Sequence, residues 1–267
     1  MFLKSKLYLA FALISGAFLI SSCSEYEKLL KGSDLYLKYD KALYYYDKED
    51  YSRAITLLEQ VKPYFKGTQK GDTADYLYAK SYYLQGDYIM AAHYYKEFSD
   101  LHPRSQFTEE ADYMNAYCSY LISPRPSLDQ TNTYDALMSF QIFMSKYPRS
   151  ARLRDCEKLI AEMKDKLVNK SYLSAKLYYN LGYYKASIIA LRNSLTEYPD
   201  TKYREELMFL ILRSSYLLAA NSVQDKQKER YQTAVDEYYS FIAEFPKSEF
   251  LKEAQDIYSN CSKVLNL

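Results

Sequence analysis

Hydrophobic positions along the chain recur with a helical period, and that period sits inside a longer repeat. Four strings mark the repeat: His102-Pro103-Arg104-Ser105, Tyr147-Pro148-Arg149-Ser150, Tyr198-Pro199-Asp200-Thr201 and Phe245-Pro246-Lys247-Ser248. Their prolines stand 45, 51 and 47 residues apart. Twelve residues ahead of each proline comes a small residue (Ala91, Ala136, Ser187 or Ala234), and four residues after that a large one (Tyr95, Phe140, Leu191 or Tyr238). Tyr88, Thr133, Tyr184 and Tyr231 precede the small residues by three positions, and Gly86 and Gly182 stand two before Tyr88 and Tyr184. An earlier copy reads Tyr51, Ala54 and Leu58, with Pro63 arriving sooner than the register predicts.

This spacing predicts helical hairpins. Gly86 and Gly182 fit a tight turn between a helix A and a helix B, where a positive φ is needed. The small residue falls where helix B crosses helix A closely, and the large one shares its face one turn later. Proline ends helix B because it disfavours helical geometry in the residue before it. The Ser or Thr that follows is expected to cap the next helix. Glu109, Asp155 and Glu205 then fall in a first turn, where the helix dipole favours negative charge.

The pattern resembles the tetratricopeptide (TPR) repeat, with helix A motifs such as Ala79-x-x-Tyr82 and Ala175-x-x-Tyr178 ahead of the turns. The resemblance runs over roughly residues 33–262 and implies an all-α, TPR-type helical-hairpin solenoid, curved, of about five repeats and about ten helices. Two polar insertions, Ser123–Asn132 and Asn221–Glu229, are expected as loops. Arg152 to Leu181 contains no Pro or Gly and reads as one long helix or two abutting ones.

Composition agrees with a helical chain. Six Gly and seven Pro in 267 residues make about 5%, where about 12% is ordinary, too few for an all-β fold rich in turns. A net charge of +1 gives no field for gathering nucleic acid. There are 33 tyrosines and no tryptophan.

The first 23 residues read as an address. Lys4 and Lys6 precede fourteen uncharged residues from Leu7 to Ile20, and then come Ser21-Ser22-Cys23. A basic start, a short apolar run and small residues describe a secretory signal. A helix of that run reaches about 21 Å, short of a membrane core of about 30 Å. Leu19-Ile20-Ser21-Ser22-Cys23 resembles the bacterial lipobox, which implies a signal peptide over 1–22, acylation of Cys23 and a short lipidated tether over 23–32; the other reading is an ordinary signal peptide with a chance cysteine near the cut. More than one acyl chain would anchor firmly. Cys118, Cys156 and Cys261 lack the close spacing of a metal or redox motif and fall on apolar helix faces.

Catalytic motifs are absent from the sequence. His93 and His102 have no partner at ligand spacing, and no nucleophile elbow, phosphate loop or zincin string occurs. The expected catalytic, metal and cofactor sets are therefore empty apart from lipid on Cys23. Tyrosine doublets remain, and in a doublet one ring can pack while the other reaches a groove. Counting from the turns, Tyr39, Tyr46, Tyr76, Lys80 and Tyr83 project toward the face lined by A helices, as a groove for an extended peptide or a helix. The alternative is that they fill a Tyr-rich core.

A lipobox followed closely by about five such hairpins resembles the BamD family of the outer-membrane β-barrel assembly machinery. Tyr172-x-x-Ala175-x-x-Tyr178-Tyr179, Gly182-x-Tyr184 and His102-Pro103-x-Ser105-x-Phe107-Thr108 add to the resemblance. It implies a non-enzymatic scaffold tethered by lipid to the periplasmic face of the outer membrane of a Gram-negative bacterium. N-terminal repeats (33–150) would contact unfolded outer-membrane proteins, and C-terminal repeats (151–267) would dock the barrel-forming assembly protein of the BamA type. No nucleic acid is implied. A different periplasmic TPR adaptor, for cell-wall synthesis, division or glycan uptake, and an enzyme without a known motif stay open as alternatives.

Overall fold

Helices begin where the sequence supplies an acceptor for their first free N–H groups. A computed structural model describes residues 25–267, and all regular structure among the described residues is helical. The signal segment 1–22 and Cys23 lie outside the described residues. After a helical stretch over residues 25–31 come α1 (Leu35–Asp47), α2 (Tyr51–Val61), α3 (Gln69–Leu84), α4 (Tyr88–Leu101), α5 (Thr108–Leu121) and α6 (Thr131–Lys146). They are followed by α7 (Leu153–Asn180), α8 (Tyr184–Glu197), α9 (Arg204–Ala220), α10 (Gln224–Glu244) and α11 (Leu251–Leu265). Asp34, Asp50, Thr68 and Asp87 accept from the N–H three residues on, at 2.9, 3.3, 3.2 and 3.1 Å. Each bond satisfies one of the donors that a helix start leaves open.

The expected fold class is the one observed: TPR-type hairpins in succession, α1–α2 to α9–α10, with α11 added. Gly86 and Gly182 turn the chain at φ 81° and 76°, and Glu49 takes that place in the first hairpin at φ 60°. Ala54, Ala91, Ala136, Ser187 and Ala234 are fully buried, as are Leu58, Phe140 and Leu191, with Tyr95 and Tyr238 nearly so. The register read from the prolines therefore holds in the four hairpins that carry it, and Ala54 and Leu58 of the first copy are buried in the same way. The stretch without Pro or Gly forms a single helix, α7, over Leu153–Asn180.

Two expectations change. Ser150, Thr201 and Ser248 do not cap the next helix. Each accepts from the N–H two residues on, at 3.1, 3.2 and 2.9 Å, in a turn that precedes it. The helix starts after that turn, with the residue four after each proline standing just ahead of its first position. The expected loop over 221–229 is also mostly helix. Only Asn221–Val223 break the chain before α10, because the charged run beyond contains no Gly or Pro to stop a helix.

The chain forms two compact units. Unit 1 holds the described residues up to Ser123 with Asn132–Cys156, and unit 2 holds Pro124–Thr131 with Glu157–Leu267. In unit 1, Leu57, Leu58, Val61 and Phe65 pack with Tyr39 and Tyr78. In unit 2, Leu191, Leu207 and Ile211 pack around Tyr172, and Phe209, Val235, Phe241 and Ile257 form a further cluster. No helix among the described residues is long and apolar enough to cross a membrane.

Candidate functional site

One aromatic position recurs in the A helices: Tyr39, Tyr76, Tyr113, Tyr172 and Phe209, three residues before Ala42, Ala79, Ala116, Ala175 and Leu212. From the second hairpin on, it meets the residue four after the next proline. Phe107 stacks on Tyr76 with centroids 4.5 Å apart, Tyr203 on Tyr172 at 4.1 Å and Phe250 on Phe209 at 4.5 Å, all within 11° of parallel. The third hairpin departs from this. There Arg152 takes the ring's place, its guanidinium 4.4 Å from the centroid of Tyr113.

A second recurring element is an ion pair. The residue four after the A-helix aromatic is a cation in three hairpins: Lys80, Lys176 and Arg213. In unit 2, Lys176 donates to Glu206 at 2.6 Å and Tyr172 donates to its other oxygen at 2.8 Å. Arg213 pairs with Glu253 at 3.1 Å. By register, the counterpart of Glu206 and Glu253 for Lys80 is Glu110. That carboxylate accepts instead from Arg152 at 2.9 and 3.0 Å. Lys80 has no carboxylate within ion-pair distance among the described residues, and its ammonium lies 5.8 and 5.9 Å from the rings of Tyr76 and Tyr46.

Around these side chains unit 1 opens a cleft of about 360 Å³, lined by Tyr76, Lys80, Tyr83, Tyr95, Tyr113, Met114 and Tyr117 with the Glu110–Arg152 pair. Burial pushes the Tyr76 hydroxyl up to about 12, with the Glu110 charge adding to it. Tyr113 is likewise pushed up to about 12 by burial, against the opposing pull of Arg152. Burial raises Tyr95 and Tyr83 as well. Tyr76, Tyr83, Tyr95 and Tyr113 are thus neutral phenols at ordinary pH, able to donate and accept hydrogen bonds while presenting apolar ring faces.

Of the five residues expected in a groove, Tyr76, Lys80 and Tyr83 line this cleft, and Tyr46 joins them through Lys80. Tyr39 does not. It is buried against Phe65, with Lys70 over its ring at 5.0 Å, and belongs to the core of unit 1. Sequence reasoning missed Tyr95, Glu110, Tyr113, Tyr117 and Arg152. The signal for Tyr113 was available, since it is the repeat equivalent of Tyr76. Arg152 was legible only as a break in the aromatic position four after each proline.

Other candidate chemistry resolves into packing. His102 bridges Asp72 and Asp75 at 2.8 and 2.7 Å, tying the end of α4 to α3. Cys118, Cys156 and Cys261 are buried thiols, with Cys118 pushed up to about 12 and Cys261 to about 11 by burial. No group of three or more potential metal ligands occurs among the described residues. Unit 2 carries a different surface: Leu173, Leu177, Leu181, Tyr183 and Ile189 are all exposed, beside a shallow hollow formed by residues 182–186 with Ile189, Leu218 and Asn221.

A family model described as YfiO, outer membrane lipoprotein, matches residues 33–230. A protein of Aquifex aeolicus, provisionally named outer membrane protein assembly factor BamD, is 28% identical over 247 residues, covering 92% of this chain and 80% of that one. The outer membrane protein assembly factor BamD of Rickettsia prowazekii is 21% identical, covering 79% of this chain and 84% of its own. That of Neisseria gonorrhoeae is 24% identical, covering 78% of each. Among solved structures, the TPR domain of P58(IPK) is similar at a TM-score of 0.42 and 16% identity, over 90% of this chain and 68% of that one.

Proposed function

Since the chain belongs to the YfiO outer membrane lipoprotein family, we propose that it serves as an assembly factor for outer-membrane β-barrel proteins. It acts as a scaffold, by binding rather than catalysis, held to the periplasmic face of the outer membrane by lipid on Cys23. No other cofactor enters. The N-terminal repeats contact unfolded barrel proteins, and the C-terminal repeats dock a barrel-forming assembly protein of the BamA type.

The observation that supports this reading is the tyrosine cleft of unit 1. Its neutral phenols offer ring faces to apolar side chains and hydroxyls to exposed backbone, which suits an extended segment with alternating apolar and polar residues, the pattern of a membrane strand. Tyrosine supplies this contact area with little rotamer entropy to lose. The exposed apolar side chains of unit 2, Leu173 to Ile189, offer a separate surface of the kind that marks protein docking.

A photo-crosslinking residue at Tyr83 and mild detergent extraction test the two halves. Crosslinking to unfolded barrel proteins, with recovery of a large barrel-forming protein that Ile189→Asp reduces, is the expected result. Recovery of cell-wall or glycan-uptake proteins instead, with no barrel protein crosslinked, would overturn the reading in favour of another periplasmic adaptor.

A further inference from the structure

Among the residues by which the unit 1 cleft departs from its repeat equivalents, Arg152, which stands where the Lys176–Glu206 copy has Phe250, changes how charge is paired inside it. In unit 2 the cation four after the A-helix aromatic is neutralised: Lys176 by Glu206 and Arg213 by Glu253. In unit 1 the equivalent glutamate, Glu110, is present and lines the same cleft as Lys80, yet it is taken by Arg152. We propose that Arg152 is a positioning residue which withholds Glu110 from Lys80, so that the Lys80 ammonium is left to take a carboxylate of the bound peptide. This rests on the reading of the cleft as a peptide groove.

Arginine is suited to both tasks. A phenylalanine at this place, as at Phe107 and Phe250, can stack but cannot hold a carboxylate. A guanidinium is planar, stacks on an aromatic face and presents a fork of N–H donors that fits a carboxylate. Arg152 does both, lying over Tyr113 while Nη2 reaches both oxygens of Glu110. The group Lys80, Glu110 and Arg152 then carries a net positive charge, where the pair Lys176 and Glu206 carries none. Lys80 is a half-buried residue whose ammonium lies beside tyrosine rings near the outer limit of cation–π distance, about 6 Å. It therefore has donors to spare, in surroundings where a charge-assisted hydrogen bond is stronger than in bulk water.

The test uses the purified mature chain and three fluorescent ten-residue peptides with a membrane-strand alternation. One has a free C-terminal carboxylate and no other acid, one is amidated with a single internal Glu, and one is amidated with Gln in its place. At least one acidic peptide should bind about tenfold more tightly than the neutral one, as a charge-assisted bond allows; which of them does so identifies the carboxylate's source. Lys80→Gln should erase that difference. Arg152→Phe should restore the ring stack on Tyr113, melt no lower than wild type, and erase the difference too, because Glu110 then pairs with Lys80. Adding Glu110→Gln to Arg152→Phe should bring the difference back, which a merely structural role for Arg152 would not do. An acid preference that survives Arg152→Phe, or is not rescued in the double variant, overturns the inference. Equal binding of all three peptides to wild type also overturns it and leaves the groove reading standing, whereas binding of none removes both.

Discussion

Two clusters that share one lysine and one glutamate position of the repeat, Lys176 with Glu206 and Lys80 with Glu110, reach opposite states. In unit 2, Tyr172 lies under Tyr203 and donates to Glu206, which also accepts from Lys176. Both oxygens of Glu206 have a partner there, and the rings of Tyr172 and Tyr203 stack at 4.1 Å. In unit 1, Tyr113 lies under Arg152, Glu110 is drawn to that arginine, and Lys80 faces a cleft of about 360 Å³. A repeat protein carries its own internal control, because the closed copy shows what the scaffold does when only packing matters. Where an equivalent copy stays open, the substitution that holds it open marks the place to look for binding.

The most disruptive way to test the frame shared by both clusters is Ala91→Trp. Ala91 is fully buried where α4 crosses α3, and overpacking of that size should cost about 3 kcal/mol or more, read as a large loss of melting temperature. An unchanged melting curve would show the register to be wrong. Next comes the closed cluster itself. Tyr172→Ala removes a buried ring, its stack and its bond to Glu206, for an expected loss of about 3 kcal/mol in denaturant unfolding. The same change in the open cluster, Tyr83→Ala, touches a half-exposed ring and should cost under about 1 kcal/mol while weakening peptide binding.

Acid offers a smaller effect confined to the closed cluster. Burial would raise the Glu206 carboxyl, but hydrogen bonds from Lys176 and Tyr172, with the Lys176 charge, hold it below the ordinary glutamate value. Its folded value is thus the lower one. The contribution to stability is complete above the unfolded value of about 4.3 and is lost as pH falls through the folded one. Because the pair is about one-third exposed, the amount is expected to be no more than about 1 kcal/mol. Stability measured between pH 6 and pH 3 should fall less in Glu206→Gln than in wild type. The smallest effect belongs to Arg152→Phe, which should leave stability equal or raise it by about 0.5–1 kcal/mol through the new ring pair.

Much of the frame was legible in the sequence because it depends on local spacing. Gly86 and Gly182 at turns, Ala91 and Ala234 at crossings, and Tyr95 and Phe140 one helical turn later all follow from contacts inside one hairpin, where sequence distance and spatial distance run together. The carboxylates of Glu109, Asp155 and Glu205 in first turns follow from the helix dipole in the same way. The candidate cleft was legible only in part. Tyr76, Lys80 and Tyr83 line it because they share one face of α3, whereas Tyr39 packs in the core against Phe65, two residues after the early Pro63, a contact that no rule of helix faces reports.

The sequence by itself determined the helices, their pairing into hairpins and the family to which the chain belongs, since these rest on periodicity and on short-range chemistry. Only the tertiary structure decided which carboxylate meets which cation. Arg152 and Glu110 are 42 residues apart, and Lys80 stands a full repeat away from the glutamate that its unit 2 counterparts would have claimed. Ion pairs and ring stacks between neighbouring repeats are chosen by competition for one site in space. That competition turns on differences of an ångström or two in side-chain reach, which no spacing along the chain can express.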